Sequence, residues 1–116
     1  MQISQERFAE LVEEAVATLP AWVLETLDNV EIFIDDESPD GRQNLLGLYE
    51  GIPLSARGTH YSGALPDRIT LFAGPILRDS GEDPDRLRAL VRHTVAHEVA
   101  HHFGISDRRL LEIDAY

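Results

Sequence analysis

The sequence predicts an α+β domain in which a few strands lie between two N-terminal helices and one long later helix. Three observations carry that prediction. Apolar residues repeat with the 3.6-residue period over residues 8–19 and again over residues 87–103. Val30, Ile32 and Ile34 alternate with Glu31, Phe33 and Asp35, which is the period of a strand. Glycine and proline punctuate the segments between. At 116 residues, the chain suits a single domain spanning 1–116, since domains typically hold ~100–150 residues. Roughly two-thirds of the unfolded surface can be buried at that size, enough for one core without staples.

Each element has its own signal. Ser4 can cap a first helix whose apolar stripe is Phe8, Leu11, Val12, Ala15, Val16 and Leu19. Pro20 can open a second, short helix through Leu27, where its missing N–H costs nothing. The strand at Val30 follows. Asp35 to Arg42 is a turn rich in Asp, Pro and Gly. Within it, Asp36 to Gly41 resembles the first half of a calcium loop, but Gly47 stands at the twelfth position and no helix precedes it, so a solvated turn is expected. Asn44 to Glu50 reads as a second strand, weakened by Gly47. Residues 51–67 read as mostly irregular. Arg68 to Ala73 is the third strand, ended by Gly74-Pro75. Asp83 then caps a long helix with Pro84 at its first position, running to Phe103. Gly104 suits the left-handed position that stops it. Ser106 can cap a last short helix toward Tyr116.

Composition removes several chemistries. The formal net charge is −11, from 21 acidic and 10 basic residues, and every base is arginine. Without lysine there is no phosphate-binding loop of the Gly-Lys type and no Schiff base. An acidic surface repels a polyphosphate backbone, so nucleic acid is not an expected partner. Without cysteine there are no disulfides, thiolate zinc sites or thiol nucleophiles. Met1 to Leu11 has neither the basic nor the apolar segment of a leader, and nothing approaches the ~18 apolar residues of a membrane span. A cytoplasmic protein with no membrane partner is the expectation.

The long helix has two stripes. Leu87, Val91, Val95, Val99 and Phe103 repeat every four residues and should pack on the sheet. Ala89, His93, His97 and His101 form a second stripe displaced by roughly 200°, free to line a cleft. Within it, His97-Glu98-Val99-Ala100-His101-His102-Phe103-Gly104-Ile105-Ser106-Asp107 spells H-E-x-x-H-x-x-G-x-x-D. Histidines at i and i+4 lie about one turn apart on one face, so both can reach one Zn²⁺ at roughly 2.0–2.1 Å. Glu98 beside the first of them can take a proton from a metal-activated water. One Zn²⁺ per chain is expected.

Asp107 has two readings. Its spacing from His101, with a sharp turn at Gly104, favours an oxygen ligand that leaves a fourth metal position open. Ser106-Asp107 is also ordinary helix-start chemistry. His93 lies one turn before His97, but some 12 Å along the axis from His101. It cannot share a metal with His101 and is expected to wall the cleft. His102 points about 100° away from His101 and is expected to be structural or solvent-facing.

With the motif placed, the chain resembles the minimal-zincin family of small bacterial zinc metallopeptidases. The resemblance extends into Tyr49-Glu50-Gly51-Ile52-Pro53-Leu54 and Leu65-Pro66-Asp67-Arg68-Ile69-Thr70-Leu71-Phe72-Ala73-Gly74-Pro75, and covers most of the chain after about residue 45. It implies a zincin-like fold, a small twisted sheet of about three to four strands against the active-site helix. It also implies His97, His101 and Asp107 as metal ligands and Glu98 as the catalytic base. The motif is similar to the metzincin pattern with Asp in place of the third His. Metzincins place a methionine turn under the metal, and this chain's only methionine is Met1.

The implied reaction is metal-assisted hydrolysis of a peptide or protein substrate, with Glu98 passing the water proton to the leaving amine. Zincins hold peptide along a sheet edge, and Arg68–Ala73 is the candidate strand. His60, Tyr61 and Tyr116 are candidate oxyanion donors. Two other functions compete. A small three-histidine metal hydrolase acting on RNA is disfavoured by Glu98, Asp107 and the acidic charge. A zinc-stabilised interaction module that keeps the motif without turning over peptides is the other alternative, and the small size makes it credible.

Overall fold

The computed structural model describes residues 3–27, 29–51 and 67–105. The expected C-terminal helix and residues 52–66 lie outside them. Helix α1 covers Gln5–Ala17, and Ser4 Oγ accepts the Arg7 N–H at 3.0 Å as its cap. Phe8, Leu11, Val12 and Ala15 are its buried residues, as the period requires. Helix α2, Ala21–Leu24, continues as a 3₁₀ turn at Glu25–Leu27, with Pro20 standing at the cap.

Three strands follow: β1 (Val30–Asp35), β2 (Gly47–Glu50) and β3 (Asp67–Phe72). Their spatial order is β1-β3-β2, with β1 parallel and β2 antiparallel to the central β3. The register aligns Ile32, Ile69 and Tyr49 in one row, and Ile34, Leu71 and Gly47 in the next. Side chains alternate along strands, so these six positions share one face. On that face Ile69 and Leu71 join the core built from α1 and the long helix below. On the other face the exposed Arg68 lays its guanidinium 4.0 Å from the centre of the Phe33 ring.

Gly74-Pro75 does not lead from the third strand into a loop. The strand ends at Phe72, and Ala73–Asp79 forms a further helix, α3. Pro75 falls in its first turn, where N–H groups have no intrahelical acceptor and a missing one is not felt. The Gly74 N–H donates to the Asp36 carbonyl at 2.8 Å. A Cβ at Gly74 would stand 2.6 Å from both Glu37 carboxylate oxygens, so any side chain there would push the Glu37 carboxylate aside. Arg78 of α3 completes the clasp, binding the Glu37 carboxylate and donating to the Gln43 carbonyl at 2.9 Å.

Helix α4 covers Pro84–His102, with the Asp83 carboxylate accepting the Asp85 N–H at 3.0 Å. Its last turn closes as a Schellman motif. Ile105 N–H reaches Ala100 O at 3.0 Å and Gly104 N–H reaches His101 O at 2.8 Å, with Gly104 at φ 89°. The buried face is wider than the apolar stripe alone. Thr94, Glu98 and His102 join Leu87, Val91, Val95 and Val99, so the two stripes are not simply opposite. Polar residues between them are turned under β2. Among the described residues, no helix is long and apolar enough to cross a membrane.

Candidate metal centre

On the last two turns of α4, the Nε2 atoms of His97 and His101 approach to 3.2 Å. Two N–Zn bonds of ~2.0–2.1 Å at a tetrahedral angle would hold the nitrogens about 3.3–3.4 Å apart. The pair thus already has the spacing of two donors to one ion. His101 is fixed from behind. Its Nδ1–H donates to the Ile105 carbonyl at 2.8 Å, which leaves the Nε2 lone pair for the cleft.

Glu98 is buried at 5% exposure although it carries a carboxyl group. Its place depends on Gly47, which the register puts on the helix-facing side of β2. A Cβ at Gly47 would meet the Thr94 methyl at 2.9 Å, Glu98 Cγ at 3.1 Å and Glu98 Oε2 at 3.2 Å. The Thr94 hydroxyl is turned back onto the Leu90 carbonyl at 2.8 Å, so its methyl is what faces the strand. Gly47 lets edge strand and helix approach closely enough to confine the carboxyl group between them.

These residues line a cleft of about 550 Å³. One wall is His93, Thr94, His97, Glu98 and His101 of α4; the other is the chain from Asn44 into β2, with Arg42 at the rim. His93 is exposed, its ring centre 6.2 Å from that of His97. Among the described residues, no third His, Asp or Glu converges with the histidine pair. Asp107 lies outside those residues, as do His60, Tyr61 and Tyr116.

Residues 27–116 match the zincin-like metallopeptidase family. The chain belongs to that family. No curated protein matches it. Among solved structures, it is similar to a conserved hypothetical protein from Thermus thermophilus, at 30% identity and a TM-score of 0.60, over 87% of this chain and 94% of the other. The zincin-like family implies a zinc ion, and the imidazole spacing above is what that ion needs from two of its donors.

One expectation about this zincin-like site is corrected by the sheet order. Arg68–Ala73 cannot receive an added strand, because β3 is central and both of its edges are occupied. Among the described residues, β2 pairs on one side only, and it is β2 that borders the cleft. The near-continuous apolar run Ile69–Phe72 was the available sign of a central strand. His102 is buried at 1% exposure, its Nδ1–H donating to Asp67 Oδ2 at 2.8 Å. Motif spacing could not find Tyr49, which lines the cleft, or Asp67, which accepts its hydroxyl.

Proposed function

We infer that this chain is a zinc-dependent peptidase, with His97, His101 and Asp107 holding the metal and Glu98 acting as general base. The observation that carries the reading is the pair of Nε2 atoms, 3.2 Å apart, in a cleft that also holds the buried Glu98. A zinc ion held there would supply Lewis acidity that polarises a scissile carbonyl and acidifies water.

The residues of the chain do the rest. His101, with its Nδ1 proton committed to Ile105, directs Nε2 toward the position a metal would take. Glu98 takes the proton of the attacking water and delivers it to the leaving amine. Its burial against β2 keeps bulk water away and strengthens its electrostatic interactions. An extended peptide fits the edge of β2 that has no strand beside it among the described residues, by main-chain hydrogen bonding, which favours substrates unfolded locally around the cleaved bond.

The test is turnover on a peptide library, with zinc content measured on the same samples. The expected result is about one Zn²⁺ per chain, cleavage by the unmodified protein, and no cleavage by a Glu98→Gln variant that retains zinc. A folded, zinc-loaded parent that cuts no peptide, or equal turnover by the variant, would overturn the reading.

A further inference from the structure

Behind the ligand-bearing turn, polar side chains from three elements meet inside the core. Asp67 opens β3 and His102 closes α4, and each is only 1% exposed. Tyr49 comes from β2 and lines the cleft. One carboxylate oxygen joins them. Asp67 Oδ2 accepts from His102 Nδ1–H at 2.8 Å and from the Tyr49 hydroxyl at 2.6 Å. The Tyr49 and His102 rings stand edge to face with centres 5.8 Å apart. Gly51, just beyond β2, closes the same knot, since a Cβ there would lie 2.5 Å from Asp67 Oδ1.

Burying a carboxylate in this way is a poor means of holding a fold together. Apolar side chains of similar volume commonly stabilise a core as well or better than a buried polar cluster. A hydrogen bond differs from apolar packing in fixing distance and direction, with O–H···O separations confined to ~2.5–3.0 Å. Among the described residues, the groups tied to Asp67 come from the two walls of the cleft, β2 and α4. Gly47 allows those walls to come close; the Asp67 bonds fix how they stand.

We propose that Asp67 is a positioning residue that sets the spacing of β2 from α4. Through Tyr49 and His102 it sets where a peptide on β2 lies relative to His97, His101 and Glu98. The proposal rests on the peptidase reading for its effect on turnover, but not for its effect on the strand.

Tyr49→Phe removes one hydroxyl and keeps the ring, and Asp67→Asn removes the charge at nearly constant size. In the zinc-loaded protein, Tyr49→Phe should raise the peptide KM about tenfold, the order expected for one lost bond to a charged group. Its kcat should fall as well, because a peptide displaced relative to Glu98 and the histidine pair reaches the reactive geometry less often. Zinc affinity should not move. Hydrogen exchange supplies the arm that needs no activity: amides of residues 47–50 should exchange faster while those of β1 and α4 keep their protection. If Asp67→Asn does not fold, Tyr49→Phe decides alone. Unchanged KM and unchanged exchange at 47–50 would reduce Asp67 to a core residue. Uniformly faster exchange would do the same, and a parallel loss of zinc affinity would move its action to the ligands. Should the parent cut no peptide, the peptidase reading fails, and the exchange pattern still accepts or rejects the spacing role.

Discussion

His101 donates its Nδ1–H to the carbonyl of Ile105, 2.8 Å away, so the segment that ends the helix also aims one of its candidate ligands. The Schellman closure at Ala100 and His101 brings Ile105 back over the last turn. That closure passes through Gly104 at φ 89°, a region that a side chain with a Cβ resists. One backbone conformation thus stops the helix and selects the tautomer of His101.

Gly104→Ala should therefore lose on two separate measurements. Placing a Cβ in the left-handed region costs about 1–2 kcal/mol, readable in urea unfolding. Metal affinity should fall by about 10–100-fold, as when a ligand's supporting hydrogen bond is disturbed. Gly104→Asn should lie between, because asparagine adopts this conformation more readily. Equal zinc affinity in all three proteins would mean that the cap does not aim the ligand.

Gly47→Ala should be destabilising by about 1–3 kcal/mol through overpacking, since its methyl would meet the Thr94 methyl at 2.9 Å. Thr94 is 2% exposed and held by its bond to Leu90, so it has little room to give. Thr94→Ser removes that methyl and keeps the hydroxyl. The double variant should recover part of the loss, with a coupling of roughly 0.5–3 kcal/mol. Simple additivity in denaturant melts would place the clash elsewhere.

The clasp between β1 and α3 should appear in the acid limb of stability. Arg78 bonds to Glu37 and holds its carboxyl below the usual glutamate range. A depressed pKa contributes stability that is complete above the unfolded value, ~4.3, and is lost as pH falls through the folded one. In Arg78→Gln that contribution disappears, so unfolding free energy should vary less with pH below about 4.3 than in the parent. Parallel curves for the two proteins would show that the pair is a screened surface contact.

What the sequence disclosed and what it withheld divide along the range of the signal. The ends of α1 and α4 were legible because their caps are local: Ser4, Asp83-Pro84 and Gly104 act within one turn of themselves. His97 and His101 were legible because helical geometry alone brings them together. Helix α3 was not, since seven residues are too few to establish a period and Gly74-Pro75 has the composition of a break. The central place of β3 is a property of strand order, which no local pattern states. Tyr49 and His102 stand 18 and 35 positions from Asp67, so only the folded chain brings them to one oxygen.

The third metal ligand can be decided between Asp107 and His93 by substitution. His97 Nε2 already pairs with His101 Nε2 at 3.2 Å, while His93 is exposed on the preceding turn, with its ring centre 6.2 Å from that of His97. Recruiting His93 would mean giving up His101, eight residues or about 12 Å further along a rigid helix. Gly104 ends that helix three residues before Asp107 in the sequence, the spacing on which Asp107 is proposed as the third ligand. Asp107→Ala should therefore weaken zinc binding severely, as loss of a direct ligand does. His93→Ala should cost no more than about 10–100-fold, the range for a neighbour of the ligands. Chelator competition on both variants, with circular dichroism to verify the fold, is the measurement. Zinc loss in His93→Ala with retention in Asp107→Ala would return Asp107 to a helix-start residue and require a new third ligand.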